Sequence, residues 1–382
     1  RFRAGQKPRT GGGCIMSKRV IITGGGTGGH IFPAISIGNA LKKMDSSIEI
    51  LFVGANGGME MTMVPQHGFN IKGVTISGIA RNLSVKSLLK NLAFPFKYFK
   101  SIQESARIVS TFKPDVVVGV GGYASGPVGR IASKKGIPLV LCEQNAYPGM
   151  VNKWLAPKAA RILLGNEAAA KHFAQYVSKT RVTGNPVRAE LLQGNREAGL
   201  AMLGLDPQKP VVLSLGGSLG SGAINHAWEV SLQTILSADV QLVWQCGKRY
   251  HEALKDRVQA HPNLRLMPFI QDMANAYAAA DLIVSRAGGS TISELILLNK
   301  PSILLPSPNV AEDHQTQNAM SLVNRGAAWL VKDVDADKNL ATTTVELVKD
   351  AAKMGALRNG IQQIEKHDSA NEIAREVMAL MS

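Results

Sequence analysis

Arg19-Val-Ile-Ile-Thr-Gly-Gly-Gly-Thr-Gly-Gly-His30 is the stretch that decides the fold. Val20 to Thr23 form a short run without polar alternation, the pattern of a strand buried on both faces. Gly24-Gly-Gly-Thr-Gly-Gly29 follows at once, and beyond it Ile31, Ile35, Gly38 and Leu41 recur at helical spacing through Lys43. Strand, glycine turn and helix open a parallel α/β sheet, and bare amides at a helix N-terminus suit phosphate. Pro33 falls near the start of this helix, where its missing N–H is expected to cost nothing.

Outward from this unit, apolar runs predict further strands at 48–53, 116–120 and 139–142. The pattern breaks at Thr183-Gly-Asn-Pro-Val-Arg188, and the chain then repeats its opening move: a strand over 210–215 runs into Gly216-Gly-Ser-Leu-Gly220. Strands at 241–244, 264–267, 282–285 and 302–306 follow, and an amphipathic helix closes the chain between about Glu365 and Leu380. The expected class is α/β, with two Rossmann-like parallel-sheet domains facing each other across a cleft, where strand ends from both sheets place ligand. The expected boundaries are an N-terminal domain over 17–184, a second domain over 185–360 and a C-terminal helical segment over 361–382 that packs back toward the first domain. Residues 1–16, rich in Gly and cations, are expected to be a disordered leader or a non-native extension.

With 382 residues, 45% hydrophobic and 19% charged, the chain has enough apolar material for a packed core, and disorder as its main state is excluded. No apolar run approaches the roughly 18 residues of a spanning helix. Cys14, Cys142 and Cys246 are scattered and odd in number, against a disulfide framework or zinc knuckle and in favour of a reducing compartment. The net charge of +15 favours anionic partners. Six cations and no acid lie in the first 19 residues, and the stretch Arg81 to Lys113 holds seven cations against one acid, Glu104. On a helix, Lys86, Lys90, Lys97 and Lys100 share a stripe roughly 80° wide, with Leu88, Leu92, Phe96 and Phe99 on the adjacent face and a kink expected at Pro95. Such a face lies well on an anionic bilayer, the alternative being a core helix with a solvated basic edge. With 5% aromatic residues and no recognisable binding module, nucleic acid is not an expected partner.

The glycine turn formally contains G-x-G-x-x-G, yet the second strand ends in Val53-Gly-Ala-Asn56 without the carboxylate that grips a dinucleotide ribose, so a nicotinamide cofactor is disfavoured. His30, at a helix N-terminus that disfavours imidazolium, is a candidate general base; a histidine that holds the loop in shape is the alternative. Gly119-Val-Gly-Gly-Tyr-Ala-Ser-Gly-Pro127 gives a second close-approach loop. Glu143-Gln-Asn145 ends a strand with side chains suited to sugar hydroxyls or an acetamido group, or else makes a surface turn. Arg188 between the domains suits a diphosphate, unless it is solvated. Ser218 adds a hydroxyl beside the second glycine turn. Ser285-Arg-Ala-Gly-Gly-Ser-Thr-Ile-Ser-Glu294 offers amides to a diphosphate and, a turn later, Glu294 to a ribose diol; a plain helix cap is the alternative. Asp313-His-Gln-Thr-Gln-Asn318 groups amides for hydroxyl recognition. Asp333-Val-Asp-Ala-Asp337 lacks the Gly and terminal Glu of a calcium loop, and no metal or other cofactor is expected. A P-loop ATPase and an α/β-hydrolase lack their Walker lysine and G-x-S-x-G.

With these blocks in this order the chain resembles the MurG family, GT-B glycosyltransferases that move N-acetylglucosamine from UDP-N-acetylglucosamine onto lipid I in bacterial peptidoglycan synthesis. The resemblance spans roughly residues 18–382 and departs from a common form of the pattern at Cys142, often His, and at Gly289-Ser290, often Ala-Leu. It implies that Ile270 contacts uracil through its backbone, that Glu294 takes the ribose, and that Ser218, Arg188, Gly289, Ser290 and Thr291 hold the diphosphate. It also implies that Gln315 and Asn145 read the sugar, and that Thr27, Gly28 and Gly29 line the donor–acceptor junction. Gly121, Gly122, Tyr123 and Ser125 form the acceptor loop, and His30, with Glu143 second, takes the acceptor proton. The implied partners are UDP-N-acetylglucosamine, lipid I and an anionic membrane surface at the cytoplasmic face, where the protein is peripheral. A UDP-N-acetylglucosamine epimerase and a non-enzymatic nucleotide-sugar-binding membrane scaffold are the other readings.

Overall fold

The computed structural model describes residues 17–78, 92, 94–217 and 220–381. Lys86, Leu88, Lys90, Ser218, Cys14 and the 1–16 segment lie outside the described residues. The first sheet holds β1 (Arg19–Thr23), β2 (Glu49–Ala55), β3 (Asn70–Val74), β4 (Val116–Gly119), β5 (Leu139–Glu143), β6 (Arg161–Leu164) and β7 (Thr180–Val182), in the order β3-β2-β1-β4-β5-β6-β7. The second holds β8 (Val211–Leu215), β9 (Gln241–Gln245), β10 (Leu264–Met267), β11 (Leu282–Ser285), β12 (Ser302–Leu304) and β13 (Trp329–Leu330), in the order β10-β9-β8-β11-β12-β13. Every pairing among them is parallel.

The helices of the first domain are α1 (Gly28–Met44), α2 (Glu60–Gln66), α3 (Phe94–Phe112), α4 (Ser125–Lys134) and α5 (Met150–Leu155). Those that follow are α6 (Arg196–Leu203), α7 (Gly222–Ser237), α8 (Lys248–Lys255), α9 (Met273–Ala279), α10 (Gly289–Leu297), α11 (His314–Val323), α12 (Ala336–Lys349), α13 (Ala351–Gln362) and α14 (Ser369–Met378). Helices on both faces explain why the central strands lack polar alternation. In β1, Val20 and Ile22 enter one core while Ile21 enters the other, all fully buried. Each such side chain contributes roughly 1.5–3 kcal/mol relative to exposure.

In both sheets the strand order reverses beside the first strand of the domain, between β1 and β4 and between β8 and β11. Registers bring these strands out level: Thr23 pairs with Val53 and Gly119, and Leu215 with Gln245 and Ser285. The glycine loops therefore leave their sheets at the two switch points, where open α/β sheets bind ligand.

The chain crosses between domains twice. Val187 and Leu191 already pack in the second domain, and so do Ile361 and Ile364. Helix α14 then returns to the first: Ile373, Ala374, Val377 and Met381 share a core with Ile31, Ile35 and Val20.

Two expectations are revised, those on Pro33 and on the closing helix. Pro33 is the sixth residue of α1, so its missing N–H does leave one helical carbonyl, that of Gly29, without its usual donor. Pro95 is the second residue of α3, and Leu92 before it is helical as well, while residues 91 and 93 lie outside the described residues. The closing helix begins at Ser369, after a polar turn, four residues later than expected.

Candidate active site

In the first domain the loop after β1 and the loop after β4 lie against each other. A Cβ on Gly122, whose φ is +80°, would stand 2.5 Å from the Gly25 carbonyl oxygen, so only glycine allows this contact. Thr27 occupies the N-cap of α1, but its side chain does not cap the helix; its hydroxyl lies 3.2 Å from His30 Nδ1. The amides of Gly28 and Gly29 are thus left at the open end of a 17-residue helix. The His30 ring lies by the second loop, its Nε2 2.9 Å from where a Gly121 Cβ would be. Burial pushes its pKa below the usual histidine value, with His314 acting in the same direction and a Gly25 backbone hydrogen bond and the Glu60 charge opposing. The ring is neutral at pH 7, as a general base requires.

Other expected residues turn inward. Ser125 is buried and donates to the Gly122 carbonyl at 2.7 Å, fixing the loop from below, while Tyr123 is exposed beside it. Glu143 is buried, and its two oxygens accept from the Asn145 backbone and side chain, the Gly149 N–H and Asn152 Nδ2, at 2.8–3.2 Å. Burial still raises its pKa. With four donors already on it, Glu143 is placed to shape the turn after β5 more than to collect a proton. Its neighbour Gln144, which the sequence grouped with Glu143 and Asn145, is buried with Oε1 lacking a protein partner, and that atom lies 3.5 Å from the same Gly121 Cβ position as the His30 ring.

In the second domain, Glu294 on α10 is the centre of a half-buried cluster. Its Oε1 accepts from Arg188 Nη2 at 3.3 Å and its Oε2 from the Tyr277 hydroxyl at 2.9 Å. Burial raises the Glu294 pKa against the pull of Arg188 and Tyr277, and burial with the Glu294 charge raises that of Tyr277. Arg188 also stacks on the Phe32 ring of α1 at 5.0 Å, so one guanidinium touches the linker's two neighbours. Ile270 is buried, and its N–H is already held by Gln245 Oε1 at 3.0 Å. Gln245 also donates to the Gly217 carbonyl at 3.4 Å. This residue, absent from the expected set, ties the strap carrying Ile270 to the glycine turn after β8.

The two domains touch at the start of α1, at the start of α10 and in the turn after β5. Ser290 Oγ donates to the Gly29 carbonyl at 3.3 Å, and a Cβ on Gly289 would stand 2.5 Å from the Gln144 carbonyl. Buried Asn318 accepts from the Ala146 N–H at 2.7 Å and donates to Asn145 Oδ1 at 3.1 Å and the Ala287 carbonyl at 3.0 Å. Asn185 donates to the Gln144 carbonyl at 2.9 Å and to Ser293 Oγ at 3.0 Å. Gln315 Oε1 accepts from the Ser307 N–H, and Thr291 sits in the first turn of α10. A cavity of about 1150 Å³ adjoins this contact, between α1, the linker and α10, lined among others by Phe32, Asn185, Arg188, Ile292 and His367. It includes neither His30 nor Glu294.

On the first domain, Phe96 and Phe99 of α3 are 80% and 69% exposed, and Leu92 and Lys100 stand out beside them, whereas Lys97 turns back to Ser77 Oγ at 3.3 Å. Met150 and Trp154 of α5 are exposed as well, and Arg130 joins the two helices by donating to the Tyr98 hydroxyl at 2.9 Å and stacking on the Tyr98 and Trp154 rings. Among the described residues, no helix is long and apolar enough to cross a membrane, and no group of three or more His, Cys, Asp or Glu could hold a metal ion. Asp333 of the discounted D-x-D run pairs with Arg286.

Comparison with known proteins matches residues 20–164 to the glycosyltransferase family 28 N-terminal domain and residues 211–374 to the glycosyltransferase family 28 C-terminal domain. The chain is 49% identical over 368 residues to the UDP-N-acetylglucosamine--N-acetylmuramyl-(pentapeptide) pyrophosphoryl-undecaprenol N-acetylglucosamine transferase of Bacteroides fragilis, covering 95% of each protein. It is 44% identical over 366 residues to the protein of the same name from Cytophaga hutchinsonii, with 95% of this chain and 97% of the relative covered. The crystal structure of Acinetobacter baumannii MurG superposes with a TM-score of 0.74 at 26% identity, covering 95% of this chain and 99% of that one. A UDP co-structure of S. aureus MnaA, at 17% identity and a TM-score of 0.66 over 93% of this chain and 94% of that one, shares the fold.

Proposed function

The chain belongs to glycosyltransferase family 28, and from that premise we propose that it transfers N-acetylglucosamine from UDP-N-acetylglucosamine to the C4 hydroxyl of lipid I, giving lipid II. The observation that carries the reading is the meeting of two helix N-termini: α10 of the second domain touches α1 of the first through Ser290 and Gly29, one residue from His30. Both helix ends present positive potential to one small region, as a diphosphate donor facing a diphosphate-linked acceptor demands.

The second domain holds the donor. Uracil lies on the strap at Ile270, the ribose diol on Glu294, and the diphosphate on Ser218 and the amides of Gly289, Ser290 and Thr291. Arg188, now paired with Glu294, is near enough to share its charge with the diphosphate. Gln315 and Asn145 line the sugar end. Lipid I enters over the first domain, its diphosphate against Thr27, Gly28 and Gly29 and the loop of Gly121, Gly122 and Tyr123. Ser125 supports that loop.

The acceptor oxygen attacks the anomeric carbon in line, its proton passes to His30, and the C1–O bond to the β-phosphate breaks with its electron pair leaving on UDP. The configuration inverts to a β-1,4 bond. The α10 N-terminus and Arg188 stabilise the charge that develops on UDP. Exposed Leu92, Phe96, Phe99 and Lys100, with Met150 and Trp154, seat the first domain on the anionic cytoplasmic face of the membrane, where the acceptor is anchored. The curated relatives at 44–49% identity are named as transferases, which favours this reading over an epimerase or a scaffold.

UDP release from UDP-N-acetylglucosamine with and without a lipid I analogue tests the proposal. Acceptor-dependent release is the expected result. Equal release without acceptor points to hydrolysis or isomerisation, and donor binding without release to a scaffold; either outcome overturns the transferase reading.

A further inference from the structure

Glu60 opens α2, is 2% exposed, and lies beneath the first glycine loop. Its Oε2 accepts from the Gly26 N–H at 3.0 Å and its Oε1 from the Ala55 N–H at 2.9 Å. The chain makes room for it: a Cβ on Gly25, Gly54 or Gly58 would come within 2.2, 2.4 or 2.5 Å of its side chain. Burying a carboxylate costs several kcal/mol unless it is compensated, and here the compensation comes from backbone amides.

We infer that Glu60 is the positioning residue of the acceptor-side glycine loop, holding the Gly26 N–H inward so that the Gly28 and Gly29 amides and His30 are the groups left to face the cleft. This rests on the transferase reading with His30 as base. A glutamine fills the same space but offers one oxygen acceptor to the two N–H groups, so Glu60→Gln removes the charge together with one of the two hydrogen bonds. The charged and titratable groups that face His30 are Glu60 from α2 and His314 from the start of α11, with the Gly25 backbone hydrogen-bonded to the ring. Glu60 is the one negative charge among them, and it favours the imidazolium that forms as the acceptor proton arrives, against burial and His314.

The test uses the full chain with Glu60→Gln and, separately, Gly58→Ala. Titration of the His30 ring Cε1–H by NMR is followed beside the pH dependence of kcat/KM and the KM of each substrate. In Glu60→Gln the His30 titration and the acid limb of kcat/KM move together to lower pH, kcat falls by about tenfold or more, and UDP affinity stays unchanged. Gly58→Ala keeps the charge but drives a methyl into the carboxylate; kcat falls and the acceptor KM rises while the donor KM holds. A folded Glu60→Gln enzyme with His30 titrating as in the parent and kcat unchanged overturns the proposal. If the His30 titration shifts but the rate profile does not, the coupling from Glu60 stands and the base assignment fails. Should Glu60→Gln not fold, parent-like kinetics in Gly58→Ala overturn it.

Discussion

Ser290 Oγ donates across the interdomain junction to the carbonyl of Gly29, at 3.3 Å, and that carbonyl is the one Pro33 leaves without a helical N–H. A proline inside a helix normally strands an acceptor. Here the stranded acceptor is used by the opposite domain.

Ser290→Ala removes this bond while leaving the α10 amides in place. A hydrogen bond of this kind contributes about 1 kcal/mol net, so kcat/KM for the donor is expected to fall by roughly fivefold, with the far-UV spectrum unchanged. Steady-state kinetics at saturating acceptor measure it, and a loss confined to the acceptor KM would contradict the placement of Ser290 on the donor side.

His30→Ala should lower turnover by about 10² to 10⁴ with UDP binding, read by calorimetry, intact. Because burial holds the His30 pKa below 6.5, the base is unprotonated at neutral pH. Activity then falls on acidification only as pH drops through that lowered value. An acid limb lying above 6.5 in the parent enzyme, and surviving in the variant, would assign it to another group.

Tyr277→Phe leaves the ring in the core but takes away the hydroxyl that Glu294 Oε2 accepts. Hydrogen bonds to a charged group are worth about 1.5–3 kcal/mol, and the Glu294 carboxylate should lose orientation toward the ribose. The donor KM is expected to rise by about tenfold and the acceptor KM to stay level. Glu294→Ala should exceed this on the donor side alone.

Gln245→Leu deprives the Ile270 N–H and the Gly217 carbonyl of their common partner. A buried N–H without an acceptor costs about 1–3 kcal/mol. Thermal unfolding should show the second domain destabilised by that order, and UDP protection against unfolding should shrink with it. Unchanged UDP protection would mean the strap and the glycine turn are held independently.

Phe96→Ser with Phe99→Ser removes the two most exposed rings of α3. Co-sedimentation with vesicles containing anionic lipid should drop sharply, whereas turnover on a short-chain, soluble acceptor should be preserved. Lys100→Ala adds a smaller loss of about 1 kcal/mol at low salt.

The central strands were legible in the sequence because burial on both faces writes them as continuous apolar runs, as in Val20 to Ile22 or Val116 to Val118. The strands that escaped notice lie toward the sheet edges. Asn70-Ile-Lys-Gly-Val74 alternates with polar residues, and Thr180-Arg-Val182 is three residues with two exposed. The glycine loops, with His30 directly after one and Glu294 a turn after another, stand out in the sequence for a related reason: glycine clusters after apolar runs mark where backbone can approach another group closely. Glu60, Gln245, Tyr277 and Asn318 carried no such mark. Each is an ordinary polar residue in its own stretch of chain and gains its role only from what the fold sets beside it, five to 173 residues away.

The return of α14 to the first domain means that the first lobe is built from two separate pieces of chain, while the second is one continuous stretch between them. Cutting the gene between the domains would leave the first without Ile373, Ala374 and Val377 from its core and the second with a dangling helix. The lobes are joined by two stretches of chain, one before Val187 and one after Ile364, so any change in their relative position has to be taken up by both.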